Sequence, residues 1–211
     1  MSGNSASKGQ FELLFRPPAE ILKQVWLQRS MAWRARMPAF PDIAEWRDEY
    51  DDCSVHWVIV EEGRVIASAL LAIRDRVEQL PQPELYRDMK ITPSGPVASI
   101  NRLVVDAACG EQGLSPRLHV ARLAYADAAG VTIILAITFA GQRRVNSLEA
   151  LGFVERGFAP HYANGSLAEV NALKTGGQSR CSRATYASPA SIVMARIRNE
   201  QDDPAIFAGN R

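Results

Sequence analysis

The stretch that most constrains the fold is residues 98–118, ASINRLVVDAACGEQGLSPRL. It begins with a short run of aliphatic, partly β-branched residues, which is typical of a core strand. A glycine-bearing turn follows, and Pro116 then stands where the first turn of a helix tolerates proline. Successive backbone N–H groups at such a turn, together with the helix dipole, can bind a phosphate-like anion. A plain connecting turn is the alternative interpretation.

The segments on either side alternate between strand and helix patterns. The ten-residue apolar run 131–140 is too short to cross a membrane and predicts a buried strand. The turn Glu61-Glu62-Gly63-Arg64 predicts a hairpin between two strands. The predicted elements are helices over 19–36, 117–129 and 142–151, and strands over 55–60, 65–73, 131–140, 153–159 and 167–173.

The order strand, glycine turn, helix, strand, helix and then Leu151-Gly152-Phe153 resembles the GNAT superfamily of acyltransferases over roughly residues 95–160. The resemblance implies an α/β fold with a GNAT-like mixed, mostly antiparallel central sheet flanked by helices. In that superfamily the amides of the turn hold the pyrophosphate and pantetheine of the acyl donor. The implied donor-binding residues here are Leu103, Val104, Val105, Glu111, Gln112, Gly113, Leu114 and Ser115. In the superfamily the turn begins with a basic or amide residue, whereas Gly110 stands at that position here.

A second resemblance narrows the branch. An arginine- and tryptophan-bearing first helix, followed by Asp48, Tyr50 and Asp51 before the first long strand, is similar to acyl-homoserine lactone synthases and N-acyl amino acid synthases. The lactone synthases carry an arginine where Leu70 stands and a glutamate where Ser99 stands. These departures argue against S-adenosylmethionine as the acceptor and favour the N-acyl amino acid synthases.

The resemblance also suggests candidate site residues. Asn101 and Arg102 are the candidate catalytic residues, and Trp33, Asp51 and His56 are the candidates for binding the acceptor. Each polar candidate has a structural alternative. His56 could be a hydrogen-bonded strand histidine, and Arg102 could form an ion pair with Asp48 or Asp51.

Two features bear on the donor. Leu148 occupies the position at which ordinary GNAT enzymes often carry a tyrosine acid, and arginines cluster on the two helices beside the predicted donor entrance. A basic rim would suit docking of an acidic acyl carrier protein, because clustered charge steers association. Solvated helix faces are the alternative. The candidate docking residues are Arg117, Arg122, Arg143 and Arg144, and helix 19–36 carries a further cluster of Arg29, Arg34 and Arg36.

Composition limits the classes that remain. A formal net charge of +1 argues against a nucleic-acid partner. Three cysteines without metal-ligand spacing predict reduced thiols in a cytoplasmic protein, and the N-terminus lacks the apolar run of a signal peptide. The expected organisation is a disordered segment 1–10, a GNAT-like domain 11–175 and an extension 176–211 with a possible helix over 190–198. The proline-rich stretch 75–96 is either a lid or a surface insertion.

The sequence therefore predicts an N-acyltransferase that moves a long-chain fatty acyl group from a phosphopantetheine thioester to the amine of an amino acid or similar small acceptor. The co-substrate is acyl-acyl carrier protein or acyl-coenzyme A, and no permanently bound cofactor or metal and no membrane span are expected. The alternatives are an acetyl-coenzyme A-dependent GNAT N-acetyltransferase and a non-catalytic GNAT fold that binds an acyl carrier.

Overall fold

The computed structural model describes residues 11–36, 42–86, 89, 91–139, 142–158 and 191–198. The strands are β1 (Phe11–Phe15), β2 (Val55–Glu61), β3 (Arg64–Arg74), β4 (Val97–Val105), β5 (Ile133–Phe139), β6 (Val154–Phe158) and β7 (Ser191–Ile197). The helices are α1 (Ala19–Arg36), α2 (Leu114–Ala128) and α3 (Gln142–Glu149). The predicted fold class is confirmed: one mixed seven-stranded sheet has the order β1-β2-β3-β4-β5-β7-β6.

Local sequence signals explain several of these boundaries. The N–H groups of Ile21 and Leu22 both donate to the carbonyl of Pro18, so α1 begins directly after the proline pair. Glu62 and Gly63 both have positive φ, 52° and 76°, which is the conformation of a two-residue hairpin turn between β2 and β3. The turn that was predicted at Glu61–Arg64 is therefore present.

Both later helices end in the same capping motif. After α2 the Val131 N–H donates to Ala126 and the Gly130 N–H donates to Asp127, with Gly130 at φ 73°. After α3 the Phe153 N–H donates to Leu148, and Gly152 has φ 83°. In this Schellman arrangement the residues at the two ends of the motif, Leu148 and Phe153, are both buried. The Leu-Gly-Phe triplet thus ends a helix and fastens it to the core.

The chain divides into two compact units. The first contains the described residues of Met1–Arg47, Val55–Ala69 and Arg102–Ala121. Its core joins the buried residues Val25, Val58, Val60 and Val65 to Leu14 and Ile21. Of the arginines predicted on one face of α1, Arg29 is buried, whereas Arg34 is exposed and bound to Asp42 at 2.7 Å. The side chain of Arg36 lies outside the described part.

The second unit contains the described residues of Asp48–Ser54, Leu70–Asn101 and Arg122–Arg211. Within it, segment 75–96 contains single 3-10 turns at Val77–Gln79 and Pro83–Leu85. Val77, Leu80, Leu85 and Tyr86 are buried against sheet residues that include Leu70 and Leu135. The proline-rich segment is therefore an apolar cover over this part of the sheet.

The strand β7 is the largest departure from the sequence prediction. Residues 191–197 pair antiparallel with β5 from Ile133↔Ile197 to Phe139↔Ser191, and also with β6. The helix that was predicted over 190–198 is wrong, because this segment is an internal strand. The strand β1 was not predicted, and the predicted strand 167–173 and the disordered segment 1–10 lie outside the described residues.

Candidate donor and acceptor site

The strand β4 changes character in its second half. Its parallel ladder with β5 runs from Val97↔Ile133 to Ile100↔Ala136 and extends no further in the described register. The strand continues through Asn101–Val105, and Arg102 has φ 53°. A non-glycine residue with positive φ inside a strand departs from regular strand geometry, as bulges near active sites do, and we refer to this irregularity at Arg102 as the β4 bulge. Among the predicted donor-binding residues here, Val104 is buried and Leu103 and Val105 are half-buried.

The turn after β4 is held by one carboxylate. Asp106 accepts a hydrogen bond from the Ala108 N–H at 3.0 Å and caps a 3-10 turn over Ala107–Cys109. Its other oxygen lies 2.9 Å from Nη1 of Arg64, and its own N–H donates to Ile66 at 2.8 Å. The turn is thereby anchored to the strand β3 before it reaches the glycine.

The amide groups at the start of α2 form a candidate anion site. Gly113 is exposed with φ 70°, and a Cβ there would meet no protein atom within 4 Å. The first helical bond runs from the Arg117 N–H to Gly113 at 3.4 Å. Within the described ranges, the N–H groups of Gly113, Leu114 and Ser115 have no hydrogen-bond partner in the protein. A left-handed glycine before a helix makes consecutive N–H groups converge, and the helix dipole adds positive potential.

The side chains around this turn leave it accessible. Glu111 and Gln112 are exposed, Ser115 is half-buried and Leu114 is buried. The first turn of α2 contains no acidic side chain that would compete for its amides. These five predicted donor-binding positions, 111–115, therefore lie together at one helix start, which suits a phosphate.

The Trp46 side chain contacts both Arg102, a candidate catalytic residue, and Trp33, a candidate acceptor-binding residue. The guanidinium carbon of Arg102 lies 4.4 Å from the ring centroid of Trp46, and the Trp46 ring lies 5.7 Å from that of Trp33 in an edge-to-face contact. Trp46 is only 1% exposed and its N–H donates to Trp26 on α1. The structure thus brings Trp33 and Arg102 together through Trp46, a residue that the sequence analysis did not select.

The other two predicted acceptor residues, Asp51 and His56, are both buried. Asp51 is buried, and its Oδ2 accepts from the Asp48 N–H at 2.9 Å, while Asp48 Oδ1 accepts from the Tyr50 N–H at 3.0 Å. These two carboxylates therefore close the turn before β2. His56 is buried on β2, and its carbonyl accepts from the Arg16 N–H at 3.0 Å.

Asn101 is half-buried, and its Nδ2 donates to Oγ of Ser99 at 2.7 Å. Residues two apart on a strand share a face, which explains this contact. The serine that replaces the glutamate of the lactone synthases thus holds the amide of a candidate catalytic residue.

The predicted docking arginines that the structure describes differ in exposure. Arg117 is exposed, Arg144 is half-buried, and burial lowers the pKa of Arg144. Arg122 has no exposed surface, so its assignment to a docking surface is wrong. The helical spacing explains the burial, because Arg122 lies four residues from both Leu118 and Ala126, which are buried. The side chain of Arg143 lies outside the described part.

Two residues that support the candidate site, Asp106 and Trp46, were not predicted, and each has a weak sequence signal. Asp106 precedes Ala107-Ala108, and aspartate is a preferred capping residue. Trp46 is an aromatic residue in an otherwise polar stretch. In the part of the chain that the structure covers, no group of three His, Cys, Asp or Glu side chains could hold a metal ion, and no helix is long and apolar enough to cross a membrane.

Comparisons with known proteins identify the family and the fold of the chain. The sequence model of one family, the acetyltransferase (GNAT) family, matches residues 21–153. No curated protein sequence matches significantly.

Solved structures share the fold at low identity. The AHL synthase LasI has a TM-score of 0.59 at 13% identity, covering 96% of this chain and 100% of that one. FeeM, an N-acyl amino acid synthase from uncultured soil microbes, has a TM-score of 0.53 at 11% identity, and the match covers 90% of this chain and 92% of FeeM. The ribosomal-protein-S18-alanine N-acetyltransferase from Escherichia coli has a TM-score of 0.52 at 13% identity, and the match covers 89% of this chain and 94% of that enzyme.

Proposed function

The chain belongs to the acetyltransferase (GNAT) family, and from that premise we propose that it transfers a long-chain fatty acyl group from a phosphopantetheine thioester to the amine of an amino acid or similar small acceptor. The observation that carries the proposal is the run of amides without a protein partner at Gly113, Leu114 and Ser115, in the turn that follows the strand with the bulge at Arg102. The similarity in fold to FeeM and LasI supports this branch of acyltransferases.

The donor would bind along one continuous stretch of chain. The amides at 113–115 would hold a phosphate of the phosphopantetheine arm, because charge-assisted hydrogen bonds to a helix start favour anions. The arm would then extend along Leu103–Val105, which spans about 10 Å of strand. Its amide groups can pair with strand backbone in the manner of an added strand. The thioester would thereby reach the bulge at Arg102.

The transfer step requires the acceptor to lose one proton. The amine nitrogen attacks the thioester carbonyl carbon, the C–S bond breaks, and the thiolate takes the proton that the nitrogen loses. The amine is largely protonated at pH 7, and each tenfold gain in its deprotonated form is worth about 1.4 kcal/mol. Alignment of the amine and polarisation of the carbonyl by a strand N–H at the bulge would supply most of the catalysis.

Arg102 is the proposed anchor for the acceptor. Its guanidinium carbon lies 4.4 Å from the Trp46 ring centroid, and the planar fork of an arginine matches the two oxygens of a carboxylate. The carboxylate of an amino acid acceptor would pair with these donors. Trp33 and Trp46 would then hold the Arg102 side chain in the orientation that binds the acceptor carboxylate.

One observation favours a long acyl chain on a carrier over an acetyl group on coenzyme A. Leu148 is buried and belongs to a helix cap, so the tyrosine acid of ordinary acetyltransferases has no counterpart there. Arg117, which is exposed in the first turns of α2, is the proposed contact for an acidic carrier protein.

The test is to supply the purified protein separately with a long-chain acyl carrier protein, acetyl-coenzyme A and palmitoyl-coenzyme A, each with mixed amino acids. Products are identified by mass spectrometry. We expect fastest transfer from the carrier protein, decreasing as salt rises from 50 to 300 mM, which more than halves the Debye length. Arg117→Glu should slow it, whereas Lys23→Glu, an exposed charge reversal on α1, should not. Equal or faster transfer from acetyl-coenzyme A, insensitive to salt and to Arg117→Glu, would favour the acetyltransferase alternative. Carrier binding without any product would favour the non-catalytic one.

A further inference from the structure

One buried arginine contacts the backbone beside the β4 bulge. Nη1 of Arg122 lies 3.1 Å from the carbonyl oxygen of Leu70 on β3 and 3.4 Å from that of Asn101 on β4. The side chain has no exposed surface. We propose that Arg122 is a positioning residue for acyl transfer: by holding the Asn101 carbonyl it sets the direction of the Arg102 N–H that faces the thioester. This inference rests on the proposed function and adds a residue to it.

The planar peptide bond couples the Asn101 carbonyl to the Arg102 N–H. The described residues contain no cis peptide bonds, so the carbonyl of Asn101 and the N–H of Arg102 point in opposite directions within one plane. Fixing the carbonyl therefore fixes the amide. A catalytic hydrogen bond requires such alignment, because a donor aimed where charge develops in the transition state loses its effect when it rotates away.

The bulge needs an external constraint, and Arg122 supplies one. The ladder between β4 and β5 ends at Ile100↔Ala136, immediately before Asn101. Arg102 has φ 53°, a conformation that a non-glycine residue keeps only when its surroundings hold it. The partly buried Asn101 carbonyl also requires a donor, and the guanidinium provides a charged one. The contact thus lies at the residue where the pairing of β4 with β5 ends.

The charge on Arg122 persists under assay conditions. Burial, followed by the positive charge of Arg144, lowers the pKa of Arg122 to about 9. The guanidinium therefore remains protonated at pH 7 and keeps all its donors. An uncharged side chain of similar length would fill the space without donating.

The experiment compares Arg122→Met, Arg122→Lys and a matched control, Arg196→Met. Arg196 forms a bidentate ion pair with Asp127 on α2, at 3.0 and 3.2 Å, so its loss should lower Tm without touching β4. In Arg122→Met we expect kcat to decrease at least tenfold while KM for the donor stays within threefold, since the phosphate site at 113–115 is intact. Arg122→Lys, which retains a charged donor, should recover part of kcat. Arg196→Met should keep the wild-type kcat at a temperature well below its Tm.

A second readout does not depend on turnover. Amide hydrogen exchange in the peptide spanning 97–105 should accelerate at least tenfold in Arg122→Met and remain unchanged in Arg196→Met. Wild-type kcat and exchange in Arg122→Met would overturn the inference, and so would a Lys variant that is no better than Met. If Arg122→Met does not fold, Arg122→Lys decides: a severalfold lower kcat at unchanged KM supports the role, and an unchanged kcat refutes it. If the wild-type protein transfers no acyl group, the proposed function fails, and the exchange result alone decides whether Arg122 holds the bulge.

Discussion

Alanine substitutions of the two positive-φ glycines at the ends of α2 distinguish an effect on donor binding from an effect of backbone strain. Gly113 precedes the helix at φ 70°, and Gly130 follows it at φ 73°. A Cβ at either position would meet no protein atom within 4 Å. Gly113→Ala and Gly130→Ala therefore differ in location but carry the same backbone penalty, about 1–2 kcal/mol for an L-residue in the left-handed region.

The expected consequences follow from these values. Both variants should unfold about 2–8 °C below the wild type, because 1 kcal/mol corresponds to about 2–4 °C in a protein of this size. Only Gly113→Ala adds a methyl group where the donor phosphate would approach the amides of 113–115. The loss of one charge-assisted hydrogen bond costs about 1.5–3 kcal/mol, or about a 10- to 100-fold increase in Kd.

The assay is isothermal titration of each variant with coenzyme A, supported by a thermal melt. Coenzyme A carries the pyrophosphate and pantetheine of the donor without reacting. Donor binding by the amides at 113–115 is refuted if Gly113→Ala and Gly130→Ala bind coenzyme A equally well. It is also refuted if Gly113→Ala keeps the wild-type Kd for coenzyme A while its Tm decreases. In either case the amides at the helix start would have no part in donor binding.

Three further substitutions or treatments test other contacts. Asp106→Ala should lower the free energy of unfolding by about 0.5–2 kcal/mol in urea titrations, and Asp106→Asn by less because it keeps the cap; equal losses would contradict the capping role. Trp46→Phe should raise KM for the acceptor about two- to fivefold at unchanged donor KM, since a cation–π contact is worth about 0.5–1 kcal/mol; an effect on the donor alone would be against the assignment. During brief iodoacetamide labelling at pH 8, Cys53, which is exposed, should react before Cys109, because Cys109 is 4% exposed and burial, then the charge of Asp106, raises its pKa. Peptide mass spectrometry showing equal rates would contradict this order.

Local signals in the sequence predicted the elements that local physics determines. The pair Glu62-Gly63 specified a hairpin turn, Pro18 specified the start of α1, and Gly130 specified the end of α2. Each of these depends on neighbours within a few residues. The donor turn belongs to the same class, since a glycine followed by an early proline marks a helix start wherever it occurs.

Long-range pairing explains what was missed. In β7 the residues Ile192, Val193, Met194 and Ala195 are all buried, so the segment lacks the alternation that distinguishes a strand from a short buried helix. Its partners on β5 lie roughly 50 to 65 residues earlier, and no local pattern encodes that register.

The assignment of Arg122 to a docking surface was wrong for a different reason. Charge suggested a surface position, whereas its four-residue spacing from Leu118 and Ala126 indicated burial. The spacing was the better guide, because two backbone carbonyls compensate the buried charge in part.

The position of β7 has a consequence for synthesis on the ribosome. The strand β5 emerges with an open edge, and the strand that pairs with it there, β7, is made roughly 50 residues later. At about 5–20 residues per second, that edge stays unpaired for about 3–10 s in every nascent chain. Unpaired apolar edges recruit other strands, so an interrupted translation product that ends before residue 191 should aggregate or be captured by chaperones. Pausing of the ribosome between residues 139 and 191 should lower the yield of folded protein more than pausing earlier.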